Sequence, residues 1–232
     1  MPAPTILSHR TTYGSTIIGS EKAYTIEPPA KNEATRLILS FHYTGGSALW
    51  TDPFNYSGAA YAYAAHIAAH GFVFVSSLWS GDWTSDAQLT AIDGALTWGA
   101  AQGIDTTKVG LFGASGGGLP ALNWWRLNPT KVGAAVLFVP VVHIPHLYDD
   151  NAPLQAAMDA NWGGDAKANG LPYSPHTFGA SLAGTAEALI YNSSDDAAIR
   201  DADVEAFAAA AGATLIDTGP GGHGDLANFD PN

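Results

Sequence analysis

The sequence predicts an α/β fold: a mostly parallel eight-stranded sheet flanked by helices, in a single domain over residues 1–232. Two observations carry this. Short β-branched runs alternate with longer Ala-rich amphipathic stretches, the pattern of strand and helix taken in turn. Most of the strand runs are also nearly continuous in apolar residues, as strands covered on both faces require. With 47% hydrophobic and only 13% charged residues, the chain has the material for a sizeable core.

In chain order, runs at 11–18 and 23–27 are separated by Gly19-Ser20 and read as an antiparallel hairpin. Six further strands are expected at 36–41, 72–77, 108–112, 134–139, 187–191 and 213–217. Helices are expected at 59–69, 86–101, 117–127 and 196–211, with a short piece from His223 onward. Gly71, Gly103 and Gly212 sit just past three of them, where a left-handed residue ends a helix without steric cost. Residues 141–186 break the rhythm with Pro, Gly, Asn and aromatic residues, and read as an insertion between the sixth and seventh strands.

Composition removes several functions. There are no cysteines, which excludes disulfides, thiol nucleophiles and Cys-ligated zinc. A formal net charge of −12 repels nucleic acid and anionic membranes. No apolar run reaches the roughly 18 residues of a membrane span. Met1-Pro2-Ala3-Pro4 lacks the basic start and apolar stretch of a secretory signal, so the expected location is cytoplasmic by default.

The chemistry-bearing signal is Gly113-Ala114-Ser115-Gly116-Gly117, a G-x-S-x-G pattern directly after an expected strand and running into an expected helix. A turn this sharp strains the serine backbone and tolerates only small neighbours, while lifting the hydroxyl above the sheet edge. There it lies at a helix N-terminus, whose partial positive charge favours a developing anion. Ser115 is therefore the expected nucleophile. Of the eight histidines, His223 is the expected base: it lies in the Gly-rich loop after the last strand, which can return an imidazole over the sheet. His66 and His70 fall on a helix, His9 near the terminus, and His143, His146 and His176 in or beside the insertion.

The orienting acid is expected after the seventh strand, in Asn192-Ser193-Ser194-Asp195-Asp196. Asp196 is favoured because Ile199 marks the start of a helix docking on the sheet; Asp195 is the alternative, and one of the two is expected to cap that helix. An oxyanion hole is expected from Gly116, whose amide follows the nucleophile, and from Phe41-His42-Tyr43-Thr44-Gly45-Gly46.

Together these motifs resemble the α/β-hydrolase superfamily over almost the whole chain, in its serine esterase and lipase-like branch. The loop 41–46 looks like its H-G-x-G oxyanion loop, residues 188–196 like its acid strand, and Gly222-His223-Gly224 like its histidine loop. Tyr43 stands where the family usually has Gly, which leaves the amide of Tyr43 or of Thr44 as the second oxyanion donor. The insertion occupies the usual lid position. The resemblance implies two-step acyl transfer with no metal and no organic cofactor. Aromatic residues gather where the site should open, so the expected partner is a small-molecule ester with an apolar or aromatic group. Trp50, Trp79, Trp83 and His143 are the expected substrate-binding side chains, while Trp124 and Trp125 are expected in the core. An amidase, peptidase or thioesterase on the same residues is the alternative, and a non-catalytic binding protein the rival from another class.

Overall fold

The computed structural model describes residues 12–18, 21–32, 34–44, 59–77 and 83–223. Eight strands form one sheet in the order β1-β2-β4-β3-β5-β6-β7-β8. The strands are β1 (Thr12–Ile18), β2 (Glu21–Glu27), β3 (Arg36–Phe41), β4 (Phe72–Ser76), β5 (Asp105–Ala114), β6 (Val132–Phe138), β7 (Glu187–Asn192) and β8 (Thr214–Asp217). β2 pairs antiparallel with both β1 and β4, and every pairing from β4 to β8 is parallel. The sheet is thus mixed by one reversed strand, which the hairpin required.

Helices α1 (Ala59–Ala69) and α2 (Asp86–Ala101) follow β2–β3 and β4. Ser85 caps α2, its hydroxyl accepting from the Gln88 amide at 3.2 Å. Next come α3 (Gly118–Leu127), α4 (Ile144–Asp150), α5 (Ala152–Asn161), α6 (Ala166–Asn169) and α7 (Asp201–Ala211). No helix among the described residues is long and apolar enough to cross a membrane.

Alternation along each strand divides the core. Leu37, Leu39, Val109, Leu111 and Leu137 point to the larger cluster, which α2, α3 and α7 cover. Ile38, Phe74, Phe112 and Phe138 point to the other face, where Ala64 and Ala68 of α1 meet them. Trp124 and Trp125 lie in the larger cluster, fully buried as expected. Their indole N–H groups donate to Asp93 Oδ1 at 3.0 Å and Thr185 Oγ1 at 2.9 Å, so neither ring buries an unpaired donor. The stretch between β6 and β7 carries α4, α5, α6 and three short 3₁₀ turns. Val142, Ile144, Met158, Trp162 and Leu182 anchor it in the same larger cluster.

One helix begins later than the sequence pattern implied. α7 starts at Asp201, not at residue 196. Asp196 Oδ1 accepts from the amides of Ala198 at 2.7 Å and Ile199 at 2.9 Å, closing a local turn. A short carboxylate satisfied by its own loop competes with helix formation, and here it wins. Neither Asp195 nor Asp196 caps α7, whose N-cap is Arg200. Residues beyond His223, including the expected C-terminal helix, lie outside the described residues.

Candidate active site

β5 is the central supplier of the site. It runs to Ala114, the chain makes one 3₁₀ turn at Ser115–Gly117, and α3 follows at once. Ser115 has φ +50, a conformation that costs a non-glycine residue about 1–3 kcal/mol and persists only when its surroundings enforce it. They do so on several sides. Val141 N–H donates to the Ser115 carbonyl at 2.9 Å. A Cβ on Gly113 would lie 2.9 Å from the Gly117 carbonyl oxygen, so the first and last glycines of the motif pack on each other. A Cβ on Gly117 would overlap the carbonyl oxygens of Phe41 and His42, and one on Gly116 would overlap Thr44 Oγ1. The turn is therefore wedged against the end of β3. The Gly116 amide and the Tyr43–Thr44 backbone consequently belong to one neighbourhood. His42 Nδ1–H donates to the Tyr43 carbonyl at 2.8 Å, which fixes the start of that loop.

Ser115 Oγ lies 2.8 Å from His223 Nε2, and His223 Nδ1 lies 2.7 Å from Asp196 Oδ2. The carboxylate accepts, so Nδ1 carries the proton and Nε2 is left to accept from the serine hydroxyl. The Asp196 side chain is wholly buried while that of His223 is 30% exposed. Three side chains from three different loops thus form one hydrogen-bonded chain. Asp195 faces elsewhere: its Oδ1 accepts from Ser193 Oγ at 2.8 Å and from the amides of Gly221 and Gly222 at 2.8 and 2.7 Å. Those two amides, then the serine hydroxyl, hold its carboxyl down at about 2.

The expected substrate-binding residues divide. Trp50 and Trp79 lie outside the described residues. Trp83 is only 5% exposed and meets the Trp162 ring at 5.8 Å between centroids, a core packing position. The sequence signal was an aromatic after the fourth strand, and it does not separate a wall of the site from an anchor of the loop.

His143 caps α4, its Nδ1 accepting from the His146 amide at 3.2 Å. Its ring is sandwiched between those of His146 and His176, with centroids 3.6 and 3.8 Å away. His146 Nδ1–H in turn donates to Asp203 Oδ2 on α7 at 2.8 Å. Among the described residues, His143, His146 and Asp203 form a set whose donor atoms lie within 4.8 Å of one another. However, the two imidazole planes are only 9° apart and stacked, so their in-plane lone pairs do not converge on one ion.

Burial first, then the neighbouring His176 and His146, push His143 down to about 4 from an ordinary 6.5; Asp203 opposes this weakly. The unfolded chain therefore binds more protons than the folded one between those values. Stability should be complete above about pH 6.5 and fall as the pH drops toward 4, by about 2 kcal/mol for a partly exposed ring. Asparagine keeps an acceptor at the cap but cannot titrate. Urea unfolding of His143→Asn from pH 7 to 4 should show a flatter dependence than wild type; an equal slope would refute the assignment.

An apolar cleft of about 300 Å³ opens elsewhere, lined by Ile38, Ile67, Phe72, Phe112 and Val136 on the α1 face. Its polar rim, Arg36 and Lys108, lies toward the starts of β3 and β5, away from the strand ends that carry Ser115.

No family model matches the sequence, and no curated protein does. Solved structures match over nearly its full length. An esterase from the archaeon Pyrobaculum calidifontis superimposes with a TM-score of 0.71 at 20% identity, covering 96% of this chain and 80% of that one. An acylaminoacyl peptidase of Pyrococcus horikoshii gives 0.70 at 13% identity, with 96% of this chain and 39% of the peptidase covered. A Klebsiella pneumoniae structure assigned as a dienelactone hydrolase gives 0.65 at 17% identity, with 95% and 90% covered. Identities this low speak for architecture, and together with the strand order they make it plain that this chain has the α/β-hydrolase fold.

Proposed function

We propose that the protein is a serine hydrolase that cleaves carboxylic esters of small to medium apolar or aromatic substrates. The observation that carries this reading is the continuous chain from Ser115 through His223 to the buried Asp196, with Ser115 held at φ +50. Ser115 attacks the ester carbonyl while His223 Nε2 takes its proton. The alkoxide of the tetrahedral intermediate collapses, and the His223 proton goes to the departing alcohol. A water that gives its proton to His223 then cleaves the acyl-enzyme, regenerating Ser115. Asp196 fixes the His223 tautomer and stabilises the imidazolium. The amides of Gly116 and of Thr44 or Tyr43 receive the oxyanion. None of these steps calls on a metal or cofactor. Residues 141–186 serve as a fixed wall beside the site; the Val141 contact to Ser115 and the buried anchors of that segment favour this over a hinged lid.

Esterases and peptidases share this fold, so the leaving group, alcohol or amine, has to be tested directly. A fluorophosphonate probe should label the folded protein once per chain, and peptide mapping should place the adduct on Ser115. Nitrophenyl esters of rising chain length should be turned over at least 10²-fold faster than matched anilides, on the scale of a general acid step (about 10²–10⁴) that an anilide needs more. Faster anilide turnover would favour the amidase or peptidase reading. Neither labelling nor turnover by folded protein would end the enzyme reading.

A further inference from the structure

We propose that Asp195 is a positioning residue that clamps the histidine loop and thereby sets His223 against Ser115. The inference deepens the serine hydrolase reading and rests on it.

His223 comes at the end of Thr218-Gly219-Pro220-Gly221-Gly222, a glycine-rich stretch. Gly219 and Gly222 adopt φ +75 and +66, and a Cβ on either would meet nothing within 4 Å. At these two positions no packing among the described residues defines the backbone, and glycine loses the most conformational entropy on being ordered. Among the described residues its hydrogen bonds run mostly to the segment that follows β7. Thr218 donates through both its amide and its hydroxyl to the Asn192 carbonyl, at 2.8 and 2.9 Å. Ser193 Oγ lies 3.1 Å from the Gly219 carbonyl, and the Gly219 amide turns back to Asp217 Oδ1 at 2.7 Å. The last two residues before the histidine, Gly221 and Gly222, both give their N–H to the single oxygen Asp195 Oδ1.

Asp195 and Asp196 thus divide one task. Asp196 turns inward, its Oδ1 on the amides of its own loop and its Oδ2 on the imidazole. Asp195 turns outward and grips the backbone that carries the imidazole. Charge-assisted bonds from two successive amides to one carboxylate oxygen are short and strong, and they fix the orientation of the peptide planes. The next residue after those planes is His223. Because both carboxylates leave the same loop after β7, the imidazole is located by its ring and by its backbone from a common base. Misplacing a catalytic group by about 1 Å can cost on the order of 10²-fold in rate, which is the effect expected when the clamp is released.

The test compares Asp195→Ala and Asp195→Asn with wild type. Asparagine retains a carbonyl oxygen for the two amides; alanine does not. Three readouts are needed: kcat and KM per active site titrated with fluorophosphonate, thermal unfolding, and amide hydrogen exchange over residues 219–223. Asp195→Ala should lower kcat about 10²-fold with KM little changed, speed exchange at Gly221 and Gly222, and leave the unfolding transition cooperative. Asp195→Asn should recover to within about 10-fold of wild type on the same scale. Unchanged kcat per titrated site with faster exchange would make the clamp merely structural and overturn the proposal. Unchanged exchange, or an asparagine variant as slow as alanine, would overturn it as well. If wild type itself neither labels nor turns over esters, the hydrolase reading is what fails, while exchange at Gly221 and Gly222 still decides whether Asp195 orders the loop.

Discussion

Replacing Ser115 with alanine should lower kcat toward a nitrophenyl ester by about 10⁶-fold, and replacing Asp196 with asparagine by about 10⁴-fold. The first removes the proposed nucleophile. The second acts through a tautomer. In the native arrangement Asp196 Oδ1 accepts from the Ala198 and Ile199 amides and Oδ2 accepts from His223 Nδ1–H. An asparagine that keeps its carbonyl on those two amides must present its NH₂ to the imidazole. Nδ1 then has to accept, the ring proton moves to Nε2, and Nε2 no longer accepts from Ser115 Oγ. The geometry survives while the base is lost, so KM should change little. Groups that act as one unit are not additive in their effects. Ser115→Ala combined with Asp196→Asn should therefore be no slower than Ser115→Ala alone, when kcat is measured on protein of verified folding. A single variant within 10-fold of wild type, on the scale set by those losses, would remove that residue from the mechanism.

An element is legible in the sequence when its residues' partners are local. The bounds of α1 and α2 coincide with those read from the sequence, because the glycines beyond both helices are local signals. The six strands after the hairpin were legible, most of them from their apolar runs, and the mixed sense of the sheet from the Gly19-Ser20 turn. The start of α7 was not. Ile199 marks a buried position, yet it is buried by a turn that Asp196 closes, and only the coordinates separate that turn from the first turn of a helix. Likewise Asp195 and Asp196 are equivalent as letters; their division of labour depends on Gly221 and Gly222, 26 and 27 residues away. The packing of His143 and Trp83 was not legible for the same reason. Each follows a strand, where a site residue would stand, but the three-ring stack and the Trp162 contact come from segments distant in sequence or from a helix cap.

The G-x-S-x-G spacing also makes a prediction about stability that is separate from chemistry. At Gly117 a methyl group would overlap two backbone carbonyl oxygens, that of Phe41 at the end of the β3–β5 pairing and that of His42 next to it, and backbone cannot rotate aside as a side chain does. At Gly116 the obstruction is Thr44 Oγ1, the end of a side chain that can turn, with the Thr44 amide nitrogen at a tight 3.1 Å behind it. At Gly133, on β6, the added carbon would sit at an ordinary 3.5 Å from Lys108 Cβ. The order of cost follows from what must move. Gly117→Ala should destabilise by about 3 kcal/mol or more, since overpacking against backbone must be relieved by separating the elbow from β3. Gly116→Ala should cost about 1–2 kcal/mol, the lower part of the overpacking range. Gly133→Ala should be neutral or stabilising by up to about 1 kcal/mol, because it reduces the freedom of the unfolded chain. Urea unfolding of the three variants gives the ranking directly. A Gly117→Ala protein as stable as Gly133→Ala would mean that the elbow is not wedged against β3. The strain at Ser115 would then need a support other than β3, such as the Val141 and Gly118 amides that donate to its carbonyl.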